Sequence, residues 1–250
     1  MAATPVSRRV AVFAVAAGAV ALVAGRAAAA WNAVRGNGVR RSEARTVSGF
    51  TGIAMAVPGQ LELRLGPTES LTIEADENIL PLVETTVSRG TLQIRTQREQ
   101  DIDPTVLRIV VQARQVELLS LAGPGSISAD ALKAPALKLD VGGSGSITLQ
   151  RADIQELSVS MAGSGNATLA GKARDLKVSV AGSGSVSAAA MPADEARVSI
   201  AGSGLATVSA RSRLRASIAG SGTVRYQGDP KVERSIAGSG DIQRIGPLPS

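Results

Sequence analysis

Apolar and polar residues alternate along the second half of this chain, and a glycine turn interrupts the alternation at regular intervals. The stretch VSVAGSGSVS, Val178 to Ser187, is representative, and close variants of it occur seven times. A repeat near twenty residues, with strand-like residues on both sides of a turn, predicts a solenoid that adds one coil per repeat. The first glycines of the copies stand 18 to 20 residues apart and are Gly123, Gly143, Gly163, Gly182, Gly202, Gly220 and Gly238.

Alignment of the copies on their first glycine indicates which side chains face the interior. The positions two, four and six residues before that glycine, and four residues after it, are apolar in nearly every copy. The position three residues before it is serine in six of the seven copies. Successive side chains of a strand point to opposite faces, so the apolar columns are predicted inside and the serines outside. Two charged residues interrupt the inward columns, Glu117 in the first copy and Arg234 in the last.

Shorter alternating runs between Thr46 and Val111 predict further strands, separated by turn signals at Pro58 and Gly59 and at Arg89 and Gly90. The fold class is therefore all-β, a right-handed parallel β-helix of about seven GSG-turn coils, with the amino-terminal strands as first coils or as a cap. Right-handedness follows the general rule for parallel crossovers. Looser corners, such as LQRADIQE and AAAMPADEA, are expected to close each coil.

The GSG turn is predicted to be structural, because glycine adopts positive φ without a side-chain clash and every stacked coil imposes the same demand. The predicted turn glycines are Gly143, Gly145, Gly163, Gly165, Gly182, Gly184, Gly202, Gly204, Gly220, Gly222, Gly238 and Gly240. The serines between them form a predicted contact ladder of Ser144, Ser164, Ser183, Ser203, Ser221 and Ser239.

The amino terminus has the three parts of a secretory signal. Arg8 and Arg9 precede an uncharged run from Val10 to Gly25, and a small-residue tail ends at Ala30. Cleavage after Ala30 is favoured over an uncleaved anchor, because a membrane span needs about 18 to 25 apolar residues and this core is shorter. The predicted organisation is a cleaved signal at 1–30, a flexible basic leader at 31–45, one β-helix domain at 46–245 (strands at 46–115, GSG repeats at 116–245) and a tail at 246–250.

Composition excludes several kinds of chemistry. The chain contains no cysteine and no histidine, which excludes thiol catalysis, disulfides and histidine-based metal sites. Aromatic residues make up 2% of the chain, too few for stacking platforms that bind nucleic acid bases. The net charge of +6 falls to +3 once residues 1–30 are removed, so no nucleic-acid partner is expected. No cofactor or metal is expected either.

Competing interpretations of the glycine motif match the sequence less well. A phosphate-binding loop requires a helix after the glycines, whereas strands follow here. A calcium-binding β-roll requires an Asp in each repeat, and only Asp241 occupies the equivalent position. A polysaccharide-cleaving β-helix requires clustered charges, and the candidates are interpreted as lying in scattered, unpaired columns. Those candidates are Lys138, Asp140, Lys177, Arg197 and Arg215.

The motifs FTGIAMAVPGQLELRLG, LTIEADENILPLVETTV and RGTLQI, followed by repeated LxVSVAGSGSV, give the chain a resemblance to a known bacterial family. From about Thr46 to Ile242 it resembles the auto-transporter adhesin, head GIN domain family. The resemblance implies a parallel β-helix related in shape to pectin-lyase-like proteins but without their catalytic residues, and a role in adhesion or the cell envelope. It assigns no catalytic residues.

The sequence thus predicts an exported, non-catalytic protein of the periplasm or cell surface, with an envelope protein or glycan as its partner. The open ends of a solenoid are also a candidate surface for contacts between copies, and the sequence leaves open whether they associate. Two alternatives stay open: a carbohydrate-active β-helix enzyme, either lyase or hydrolase, and an envelope-regulatory partner of a membrane protein.

Overall fold

The structure is a computed structural model that describes residues 33–97 and 100–249. The predicted signal peptide lies outside the described residues. The described chain has no α-helix. The 3-10 helix Leu80–Leu82 contains Pro81 and forms the irregular corner between two strands. The strands are β1 (Val34–Arg35), β2 (Arg40–Arg45), β3 (Gly52–Ala56), β4 (Gln60–Leu65), β5 (Ser70–Asp76), β6 (Val83–Ser88), β7 (Thr91–Thr96), β8 (Ile102–Asp103), β9 (Leu107–Ala113), β10 (Leu118–Ala122), β11 (Ser126–Gly143), β12 (Ser146–Gly163), β13 (Asn166–Gly182), β14 (Ser185–Gly202), β15 (Leu205–Gly220), β16 (Thr223–Gln227), β17 (Lys231–Ala237) and β18 (Asp241–Gly246).

Strands β10 to β18 form the predicted parallel β-helix. Equivalent strands of successive coils pair in parallel, and the turn glycines are in register, so that Gly163 pairs with Gly182 and Gly182 with Gly202. The seven glycine turns enclose six complete coils between them. The solenoid therefore has one coil fewer than the predicted seven. The all-β solenoid is confirmed, and its right-handed sense stays a prediction.

Each coil has three faces, one more than the sequence pattern indicates. Strand β11 runs through almost a whole coil, and its alternation restarts where two successive residues are exposed, at Asp130 with Ala131 and at Pro135 with Ala136. The segments expected to be looser corners are strands with inward side chains; Ile154, within LQRADIQE, is 1% exposed. A strand that bends at a corner exposes both corner residues, which shifts the parity of the next face.

The predicted inward columns contain the core. In the coil of VSVAGSGSVS, Leu176, Val178, Val180 and Val186 are all buried. Parallel stacking places each of these beside an apolar residue of the next coil, which gives a continuous core along the axis. Glu117, read as an inward residue of the first copy, is instead exposed, and Val116 takes the buried position.

The amino-terminal strands form both first coils and a cap. Strand β3 pairs in parallel with β10 and β7, and β4 pairs in parallel with β11 and β9, so these strands continue the stack. Strands β6, β5 and β2 then add on in antiparallel orientation. The prediction of a flexible leader is wrong for Arg40–Arg45, because these residues form strand β2, which pairs with β5 over six residues.

Candidate functional site

The two glycines of each turn are required for different physical reasons. The first has positive φ in all seven turns, for example 118° at Gly182, and a Cβ there would lie 2.6 Å from the carbonyl oxygen of Gly163 in the coil before. The second, such as Gly184, is buried, and its Cβ would meet the sulfur of Met161 and lie 3.0 Å from the oxygen of Gly165. Close stacking of coils, about 4.8 Å apart, therefore excludes a side chain at both positions.

The turn serines form one exposed row, which we call the turn ladder: Ser144, Ser164, Ser183, Ser203, Ser221 and Ser239. The backbone amides hold the row in register; the amide of Ser183 donates to the oxygen of Gly163 at 3.0 Å, and that of Ser203 to Gly182 at 2.9 Å. Among the hydrogen bonds of residues 33–97 and 100–249, none involves a hydroxyl of these serines. Those hydroxyls are available to a partner.

Beside the turn ladder lies a flat surface of small residues on the outer face of the sheet, which we call the outer strip. Its first column stands three residues before each turn glycine and consists of Ser120, Asp140, Ser160, Ser179, Ser199, Ser217 and Ser235. Its second column stands one residue before the glycine and consists of Ala122, Gly142, Ala162, Ala181, Ala201, Ala219 and Ala237.

The outer strip is accessible along its length. Its alanines are exposed, and its serines are half-buried or exposed. Two shallow depressions run along it, one of about 560 Å³ between Ser120 and Ala201 and one of about 440 Å³ bordered by Ser179, Ser199 and Ser217. With no side chain larger than aspartate on the strip, an extended partner can lie flat against the sheet.

A column of basic side chains, which we call the basic column, borders the outer strip. The interpretation of the charged candidates as scattered is therefore wrong for the four basic ones. The side chains Lys138, Lys177, Arg197 and Arg215 all stand five residues before a turn glycine and share one register position. Three of them are ion-paired: Lys138 with Asp140 at 2.7 Å, Arg197 with Glu195 at 3.0 Å and Arg215 with Glu233 at 2.8 Å. Among the described residues, Lys177 has no ion pair.

Neighbouring carboxylates neutralise the charge of most side chains in the basic column. The hydrogen bond from Arg215 lowers the pKa of Glu233, against a smaller opposite effect of desolvation. The same contact raises the pKa of Arg215. Both side chains are nearly half exposed, so the pair has little effect on stability.

An acidic column, which sequence analysis did not identify, stands seven residues before the turn glycine and contains Glu156, Asp175 and Glu195. Arg174 contacts two of these carboxylates, at 3.3 Å to Glu156 and 2.8 Å to Asp175. A general acid needs a desolvated carboxyl group, whereas the side chain of Glu156 is 66% exposed. No group of three metal-ligating side chains occurs in residues 33–97 and 100–249.

Sequence columns identified the turn glycines, the turn ladder and the serine column correctly as positions in the fold. The exposed alanine column and the two charged columns were missed as surfaces. The signal of the two charged columns was present in the same alignment, five and seven residues before the glycines. Each of these columns is neutral in some copies and changes sign towards the carboxyl-terminal end, at Glu233 and at Arg213, which hides it. Whether these residues contact a partner stays a prediction.

Comparisons with known proteins agree with this architecture. A family model described as "Putative auto-transporter adhesin, head GIN domain" matches residues 49–230. The solved structure of a putative adhesin from Bacteroides fragilis is 22% identical, with a TM-score of 0.81 over 85% of this chain and 100% of its own. A putative lipid binding protein from Parabacteroides distasonis is 28% identical, with a TM-score of 0.73 over 85% and 99%. A putative adhesin from Parabacteroides merdae is 23% identical, with a TM-score of 0.68 over 86% and 99%. No curated protein matches the chain.

Proposed function

Because the chain belongs to the auto-transporter adhesin, head GIN domain family, we propose that it is a non-catalytic cell-envelope protein that binds a protein or glycan through the outer strip and the turn ladder. The observation that carries this proposal is the outer strip itself, two in-register columns of small, accessible residues along seven strands. A flat, regular surface fits a partner that is itself extended and regular.

The hydrogen-bonding capacity of this surface supports a polar polymer as the partner. The strip serines and turn serines place hydroxyls at each coil, about 4.8 Å apart along the axis. Hydroxyls that make no hydrogen bond within the described protein are free to bond to sugar hydroxyls or to a peptide backbone. Ordered water can complete such contacts without a large loss of affinity.

A binding role is favoured over catalysis by the state of the carboxylates. The carboxylates of the acidic column lie at a corner of the coil, where Glu156 is exposed and Asp175 and Glu195 are half-buried, and all three are paired with arginines. The oxygens of these carboxylates are occupied by ion pairs, whereas glycan cleavage requires one carboxyl group to act as an acid and another as a base or nucleophile. The similar solved structures are named as adhesins or as a lipid binding protein, and none of the three carries the name of an enzyme.

We also place the protein outside the cytoplasm, in the periplasm or at the cell surface, on the basis of the signal-like residues 1–30. In the described part of the chain, no helix has the length and apolarity to cross a membrane. We also propose that residues 40–45 belong to the same folded unit as residues 46–245, because strand β2 pairs with β5.

The proposal is tested by binding of the purified protein to a glycan array, together with a reducing-sugar release assay on every bound glycan. The double variant Ala181→Gln/Ala201→Gln adds two long neutral side chains to the outer strip. We expect binding without sugar release, and a loss of about tenfold or more in affinity for the variant, because a side chain that holds the partner off the sheet removes many contacts at once.

The matched control is Ala131→Gln/Ala190→Gln, which makes the same two substitutions at exposed positions away from the strip. It should bind as the unmodified protein does. Release of reducing sugar would support the carbohydrate-active enzyme instead. Equal loss in both double variants, or in neither, would reject the outer strip as the binding surface.

A further inference from the structure

The two ends of the solenoid are closed in different ways. At the amino-terminal end, the antiparallel strands β2, β5 and β6 lie beyond the last parallel layer. At the carboxyl-terminal end, β17 pairs only with β15 and β18 only with β16, so the outer edges of both strands are unpaired within the described residues. Unpaired edges of this kind are templates for pairing with a second chain.

The last coil differs from the others at two inward positions. The column four residues before the turn glycine is apolar in six coils, up to Ala216, and ends in Arg234. A second column stands six residues after the first glycine of each turn. Its side chains are buried and apolar up to Val208; the next coil has a buried Tyr226 at this position, and the last coil has Arg244. One arginine therefore occupies a core column on each of the two terminal strands.

Both arginines lie where the next coil of an uninterrupted solenoid would stack. Arg244 donates from Nε to the carbonyl oxygen of Gly228 at 2.7 Å, and its guanidinium is 3.7 Å from Asp229. Arg234 is exposed and has no ion pair among the described residues. The aliphatic part of each side chain can cover the end of the core while the charge stays in water.

We propose that Arg234 and Arg244 keep the carboxyl-terminal end of the solenoid from pairing with a second copy of this chain. Two copies meeting end to end would bring four guanidinium groups into one interface, two from each copy. Burial of these charges is unfavourable, because Arg234 has no ion pair among the described residues and Arg244 has only the 3.7 Å contact with Asp229, and like charges at close range add to the cost. Natural sheets use inward-pointing charges in this way to prevent edge-to-edge association.

The partner whose binding the arginines prevent is a second copy of this chain, because the other features of this end favour pairing between copies. Val232 is half-buried, and Ile236 and Ile245 are 44% and 46% exposed, two of the four large apolar side chains that are exposed in the described chain. Edge strands related by a two-fold axis run antiparallel, which is a favourable pairing. Without the two charges, an apolar surface with two free strand edges would remain.

The test is the oligomeric state of Arg234→Val/Arg244→Val, measured by sedimentation equilibrium and by size-exclusion chromatography with light scattering. We expect the unmodified protein to be monomeric, and the variant to dimerise with a dissociation constant lower by on the order of tenfold or more. The control Arg225→Val/Lys231→Val removes the same number of charges from exposed, outward positions of the last two coils and should stay monomeric.

Adding Ile236→Asp to the valine variant returns a charge to this end and should restore the monomer. A valine variant that is folded by circular dichroism yet monomeric overturns the proposal, as does association that persists with Ile236→Asp. If the valine variant does not fold, Arg234→Gln/Arg244→Gln decides, because it keeps long polar side chains and removes only the charge. Self-association of the glutamine variant supports the proposal, and a monomer rejects it. Neither result depends on glycan or protein binding by the outer strip.

Discussion

At the residue scale, glycine is the residue on which the repeat depends. Gly182 combines a φ of 118° with a carbonyl oxygen 2.6 Å from the position of a Cβ, so both its conformation and its space exclude a side chain. Val178, Val180 and Val186, which surround it, are interchangeable with other apolar residues in the same columns, as Ala216 and Ile200 illustrate. The turn tolerates less variation than the core that it connects.

Gly182→Val should lower the free energy of unfolding by about 3 kcal/mol or more, because a β-branched residue at positive φ is strained and its side chain would clash with backbone of the adjacent coil. Chemical denaturation monitored by circular dichroism measures the loss.

Ser183→Val, one residue further along, is the matched control, since Ser183 is exposed and its φ is not positive. That variant should unfold within about 0.5 kcal/mol of the unmodified protein. Equal stability of the two valine variants would contradict the role assigned to Gly182.

At the element scale, the amino-terminal cap depends on the polar contacts of a buried and a half-buried side chain. Asp76, at the end of β5, is fully buried and accepts hydrogen bonds from the amides of Gly38 at 2.9 Å and Thr105 at 2.8 Å, and from the hydroxyl of Thr105. Arg45, at the end of β2, donates to the carbonyl oxygen of Val83 at 2.6 Å. These contacts join segments far apart in sequence and close the end of the stack.

The cap should open in acid. Burial by itself raises the pKa of Asp76, but the hydrogen bonds from Thr105, Val106 and Gly38 outweigh it, so its pKa lies below the usual range. A lowered pKa contributes stability that is present above the unfolded value, about 3.9, and is lost as the pH falls through the folded value.

Asp76→Asn should therefore be less stable than the unmodified protein between pH 5 and 8, with a difference that shrinks below about pH 4. Urea denaturation across this pH range measures it, and hydrogen exchange of β2 locates the opening. The control Glu74→Gln changes a neighbouring carboxylate of the same strand, one that lies on the half-buried side of β5. A stability difference independent of pH would contradict the contribution assigned to the Asp76 carboxylate.

At the scale of the whole molecule, the solenoid behaves as a stack of equivalent layers. Contacts run between successive coils, and Gly182 and Gly202 occupy the same place in two of them. Stability of such a protein is approximately a sum over coils and the interfaces between them. Whole coils should therefore be removable, whereas parts of coils should not.

Deletion of residues 183–202 removes one full coil and joins Gly182 to Ser203 in the geometry of the original turn. We expect a folded, monomeric β protein with a smaller denaturant m-value, because less surface is buried. Deletion of residues 183–192 is the control; it removes about half a coil, so that the remaining half cannot complete a turn between its neighbours, and it should prevent folding. A folded half-coil deletion, or an unfolded full-coil deletion, would contradict the layered architecture.

The sequence by itself determined the solenoid, its inward columns and its turns, because those features repeat in every copy and depend on local alternation around a glycine. The third face was missed, because at corners such as Pro135 and Ala136 two successive residues face outward and the period of two restarts.

Only the tertiary structure decided which charges stand beside one another and how the ends close. Glu117 is exposed because Val116 takes the buried position in the first copy, a shift of one residue that column alignment does not detect. Asp76 is held by partners 29 and 38 residues away. Arg234 lies in a core column yet is exposed, since burial of an inward side chain requires a following coil, and in the described chain none follows. The local alternation of apolar and polar residues specifies the structure of each coil, whereas contacts between coils determine which side chains are exposed.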